Sequence, residues 1–166
     1  PEINALLAVV RHLPRDLPAA IVVVQHRGAT HNTGLVDLLQ ESTALTVVEP
    51  EDKTALKPGM LFVAPADYHL LVDDRESLAL STDAPVRSAR PSIDVLFESA
   101  ADAYGDAVVG VSEGRREFCA ERNIGRHRHR IAGRIVGVLC VQPGRAAAVR
   151  REHEPDRHDG VVRLYL

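Results

Sequence analysis

Residues 20–26 read AIVVVQH: five consecutive apolar residues, Ala20 to Val24, four of them β-branched, and then Gln25 and His26. A run this short, bounded by Pro18 on one side and Arg27-Gly28 on the other, is the pattern of a strand buried on both faces, as in a parallel sheet, and not of a helix. In open α/β sheets ligands bind in the crevice at the carboxyl ends of the strands. A histidine at the end of such a strand is therefore placed for acid–base chemistry near neutral pH. The plainer alternative is a His26 that closes the strand by bonding a loop carbonyl.

Working outward, Ile3, Leu6, Leu7 and Val10 recur at helical spacing, which predicts an amphipathic helix over Glu2–His12 that ends at Leu13-Pro14. Helix then strand is half of a βαβ unit. Its first strand and turn are expected just ahead of Pro1, so the chain reads as a fragment. After the polar loop RGATHN, Thr33 is a candidate cap for a helix carrying Leu35, Val36, Leu38 and Leu39. Strands are expected at Leu45–Val48 and Met60–Val63, separated by the charged loop EPEDKTALKPG with its Pro58-Gly59 turn. Tyr68–Val72 and Leu78–Ser81 predict a hairpin attached to the main sheet.

The clearest helix is Ser92–Tyr104. Ser92 is its candidate cap, Asp94 lies in the first turn, and Ile93, Leu96, Phe97 and Ala100 form the apolar face. Gly105 ends it, and Ala107–Val111, AVVGV, is a second short apolar strand. Ile135–Val141 and Val161–Leu166 are further strand candidates, while 112–134 fits no regular period and 142–160 reads as loop or solvated helix. The fold class expected is α/β: one Rossmann-like domain with a doubly wound, mostly parallel sheet and a β-hairpin.

Composition narrows the function classes. The 166 residues are 45% hydrophobic and 26% charged, ordinary for one globular domain. No apolar run nears the roughly 18 residues a membrane span needs, and no leader pattern is present, so a cytoplasmic protein is expected. Cys119 and Cys140 lack CxxC pairing and read as core thiols. The net charge of −3 conceals an asymmetry, −8 over residues 1–111 against +5 over 112–166.

The arginine-rich tract around RHRHR reads as a solvated basic loop. His127 and His129 there lack further ligands at metal-binding spacing, and no nucleic-acid motif accompanies the charge, so neither a metal nor a nucleic-acid partner is expected. Asp67 and His69 are candidates to line a groove or simply to support it. Arg90-Pro91-Ser92 is expected to position a helix entry. Ser112 follows a strand and precedes Glu113-Gly114, a superficial imitation of a nucleophile turn.

Three strings, LPRDLPAAIVVVQH, EDKTALKPGMLFVAPADYHLLV and RPSIDVLFESAADAYGDAVVGV, in this order and at this spacing, resemble the chemotaxis protein-glutamate methylesterases (CheB). The resemblance runs from the N-terminus to Val111; residues 112–166 diverge. It implies an α/β serine hydrolase that cleaves glutamate methyl esters on methyl-accepting chemoreceptors, releasing methanol, and in some members deamidates receptor glutamines. It implies no cofactor, and often a phosphorylated receiver domain or its kinase as regulator.

Carried over by position, His26 matches the catalytic histidine. The nucleophilic serine would fall ahead of Pro1. The family's aspartate belongs to a loop soon after AVVGV, where this chain has SEGRREFCAERNIG, which offers Glu117 and Glu121 beside Cys119 and no Asp. The family's HxPPGF-like loop is replaced by HRGATH. GVLCVQP again resembles the strand after the aspartate loop, so the intervening block is either a natural degeneration or a disturbed reading frame. A noncatalytic α/β binding module derived from the family is the alternative reading. Upstream of Pro1, GxGxxG would instead mark a dinucleotide site.

Overall fold

The computed structural model describes residues 2–25, 34–73, 76–104, 107–113, 136–141 and 162–164. Helix α1 spans Glu2–Val10, β1 Ala20–Gln25, α2 Gly34–Ser42, β2 Thr46–Val48 and β3 Met60–Val63. They are followed by β4, His69–Asp73, β5, Ser77–Ser81, α3, Ile93–Tyr104, β6, Val108–Glu113, β7, Val136–Val141, and β8, Val162–Leu164. The main sheet has the order β2-β3-β1-β7-β6-β8. The β2–β3, β3–β1 and β6–β8 ladders are parallel, and β7 runs antiparallel to both β1 and β6.

Strand β1 is central and buried on both faces, as its unbroken apolar run requires. Ala20, Val22 and Val24 face one core with Phe62, Leu96, Phe97, Ala100 and the hairpin residues Leu70 and Leu78. Ile21 and Val23 face a second core with Leu6, Leu7 and Val10 of α1, Leu35 and Leu39 of α2, and Leu61 and Val63 of β3. The layers are thus α1 and α2 on one face and α3 with the hairpin on the other. Each fully buried valine of β1 contributes roughly 1.5–3 kcal/mol relative to exposure.

Two expectations are corrected. The hairpin is a separate two-stranded sheet, β4 with β5, and not an extension of the main one. Its partner is instead the 51–56 connection, whose Lys53 N–H donates to Leu78 O and Leu56 N–H to Glu76 O, both at 2.8 Å, while Leu78 N–H donates to Thr54 O at 2.7 Å. The charged loop between β2 and β3 is therefore laid along β5. Ser112 does not follow a strand but stands within β6, opposite Gly137 of β7.

The 49–59 connection closes at Gly59, which has φ +73° and whose N–H donates to Ala19 O at 3.0 Å. At the sheet edge, the Gln40 side chain donates to Leu45 O (3.0 Å) and accepts from Val47 N–H (2.9 Å), covering backbone groups of β2 that would otherwise be open to a further strand. Among the described residues no helix is long and apolar enough to cross a membrane.

Candidate active site

The carboxyl edge of the sheet is defined by four chain segments. β1 ends at Gln25 and β3 at Val63, and these two strands are parallel. β6, antiparallel to β7 as β1 is, points the same way and ends at Glu113. Gln25 and Glu113 are both registered on Val136, so β1 and β6 terminate level with each other, two strand spacings or about 10 Å apart. Because α3 runs into the start of β6, its first turn lies at this same edge.

The chain leaves β1 toward α2 on one face and reaches β6 from α3 on the other. A crevice at such a reversal is where doubly wound sheets bind ligands. His26 is the next residue after Gln25 and itself lies outside the described residues, as do Thr33, Glu117, Cys119, Glu121, His127 and His129. Cys140 is in β7, registered with Ile21 and Val109.

Gln25 Oε1 is buried with no hydrogen-bond partner among the described residues. On the far side of the edge, Ala64 N–H donates to Val23 O at 2.8 Å, and the chain turns at Asp67, φ +67°, to enter β4. His69 is almost completely buried, 1% exposed. Its Nδ1 accepts from Ser92 N–H and its Nε2–H donates to Ala84 O, both at 3.2 Å, which fixes the neutral tautomer. Of the two readings open for it, the supporting one holds: it carries the wall and does not line a groove.

Arg90 does position the helix entry. Its Nη1 donates to Thr82 O (2.9 Å) and Asp83 O (3.2 Å), and Nη2 pairs with Asp67 Oδ1 at 3.4 Å. The Arg90–Pro91 peptide is cis. Ser92 stands at the N-cap position, its carbonyl accepting from Leu96 N–H at 3.4 Å.

Asp94, in the first turn of α3, is 5% exposed, and among the described residues its Oδ1 is buried without a hydrogen-bond partner. Oδ2 lies 3.4 Å from Arg87 Nε. Burial pushes its carboxyl up from 3.8 to about 6; Arg87 pulls it down and Glu98 pushes it further up. The available signal was its place three residues before Phe97, within the apolar stripe of α3. Arg87 stands in a two-residue turn with Ser88, at φ +51° and +65°, closed by reciprocal Val86–Ala89 bonds of 3.1 and 3.0 Å. Among the described residues no three His, Cys, Asp or Glu side chains gather to hold a metal.

About two-thirds of the chain matches known proteins. The family model described as CheB methylesterase matches residues 2–112. A putative protein-glutamate methylesterase/protein-glutamine glutaminase of Leptospira interrogans is 38% identical over 109 residues, covering 66% of this chain and 56% of the relative. Protein-glutamate methylesterase FrzG of Myxococcus xanthus is 37% identical over 108 residues, covering 65% and 32% respectively.

The crystal structure of the Thermotoga maritima CheB methylesterase catalytic domain superposes with a TM-score of 0.62 at 32% identity, covering 65% of this chain and 59% of that one. The chain thus spans about half the length, or less, of the relatives it matches. With the matched segment running from α1 through most of β6, the chain belongs to the CheB methylesterase family.

Proposed function

We propose that the chain forms part of a cytoplasmic protein-glutamate methylesterase that hydrolyses glutamate γ-methyl esters, and by the same chemistry glutamine amides, on chemoreceptors. The observation that carries this reading is that the central strand β1 ends at Gln25, level with the end of β6, and that His26 is the next residue in the sequence. Membership of the family supports it.

In the proposed reaction His26 is the general base. It takes the proton of a serine hydroxyl as the oxygen attacks the ester carbonyl, and returns that proton to the departing methanol. Water then attacks the acyl-enzyme with the imidazole again as base, which frees the glutamate carboxylate and restores the serine. Backbone N–H groups stabilise the oxyanion in both steps. Glu117 and Glu121 are the candidates for the acid that orients the imidazole. A phosphorylated receiver domain or its kinase is the regulator this reading implies.

The test is methanol release from a methylated chemoreceptor by the product of the whole gene. Release that disappears in His26→Ala supports the reading. Receptor binding without release identifies the noncatalytic module instead.

A further inference from the structure

Segment 82–92 makes an excursion between β5 and α3 whose base is closed twice. Arg90 gathers the carbonyls of Thr82 and Asp83, and His69 bonds Ala84 at one side and Ser92 at the other. Between those ties the backbone enters the left-handed region at two consecutive residues that are not glycine, Arg87 and Ser88. Turns with two such positions ordinarily carry Asn-Gly, and strain of this kind persists only where the surroundings enforce it. Here the enforcement comes from His69, Arg90 and the Arg87–Asp94 contact. The side chain so held, Arg87, is 57% exposed at the carboxyl edge of the sheet.

The His69 imidazole sits at the centre of this latch. It ties the entry of β4 to both ends of the excursion, and it does so with one donor and one acceptor while buried. A compact surface loop closed by side-chain hydrogen bonds and placed on the rim of a site is a common functional element.

We infer that His69 is a positioning residue for substrate: by holding segment 82–92 closed, it sets Arg87 and the start of α3 as a fixed wall against which the polypeptide carrying the glutamyl ester is seated. The inference rests on the methylesterase reading and names the residue that shapes its polypeptide-binding edge.

The test compares His69→Gln, which keeps a donor and an acceptor, with His69→Leu, which keeps only bulk, in the product of the whole gene. With Leu, amide exchange of Ser92 and its neighbours in 82–92 accelerates by at least about tenfold while β1 and β3 are unaffected, as the loss of two hydrogen bonds confined to one segment requires. KM for methylated receptor rises by a similar factor, more than kcat falls, and Gln restores both exchange and KM.

Unchanged exchange with Leu, or a loss in KM that Gln does not restore, overturns the inference. If the parent releases no methanol, the methylesterase reading fails and the substrate role with it; the exchange measurement then still decides whether His69 holds the segment.

Discussion

Replacing Asp94 by Asn removes the one buried carboxyl at the start of α3, and its effect should depend on pH in a direction the structure dictates. The carboxyl is raised from 3.8 to about 6 because burial penalises its charged form more than Arg87 favours it. The folded state therefore holds the proton over a range where the unfolded chain has released it. Stability from this group is fully present below pH 3.8 and is lost as pH rises through about 6.

The gap between those two values corresponds to about 3 kcal/mol, at about 1.36 kcal/mol per pH unit, and it applies at nearly full weight because the side chain is only 7% exposed. Integrated between pH 5 and pH 7.5, the wild type should lose about 1.5 kcal/mol relative to Asp94→Asn. Urea unfolding of both proteins at several pH values in this interval measures the difference, and groups common to the two cancel. A difference that stays constant, or that favours the wild type as pH rises, would refute the assignment of Asp94 as a buried, net-destabilised acid.

Two packing predictions follow from neighbouring parts of the same layer. A methyl group on Gly110 of β6 would meet Phe97 Cε2 at 2.9 Å, and Phe97 is itself buried against the sheet; Gly110→Ala should cost about 1–3 kcal/mol in chemical denaturation, and shrinking the ring in Phe97→Leu should recover part of it. Tyr104 is 1% exposed and its hydroxyl has no hydrogen-bond partner among the described residues, so Tyr104→Phe should leave stability unchanged or raise it by about 1 kcal/mol, whereas a loss of more than about 1 kcal/mol would show that the hydroxyl has a partner.

How much of this was legible in the residues depends on what kind of signal each element carries. β1 and β3 were readable because a strand buried on both faces must be apolar throughout, and Met60–Val63 has the same bounds in sequence and structure. Helices α1 and α3 were readable from their period, since each buries one stripe. The hairpin was found but misattached, because alternation reports pairing and not the sheet to which a pair belongs. That β7 runs antiparallel between β1 and β6 had no local signature at all: the same apolar string serves either direction.

The site divides in the same way. His26 stands out in the sequence because a polar residue following an apolar run is visible in one dimension. Asp67 with Arg90, and His69 with Ser92 and Ala84, join residues 15 to 23 positions apart, and only the folded chain brings them together. Asp94 could be placed in the first turn of α3, but the helix register alone does not say how deeply that turn is buried.

The central claim, an imidazole at the end of β1 that activates a serine, is tested most directly by covalent labelling of the whole gene's product with a fluorophosphonate. The account predicts modification of a single serine, slowed by at least about a thousandfold in His26→Ala, as expected when the base of a serine–histidine pair is removed. Labelling at the same rate in the two proteins, or no serine labelled in either, would contradict it.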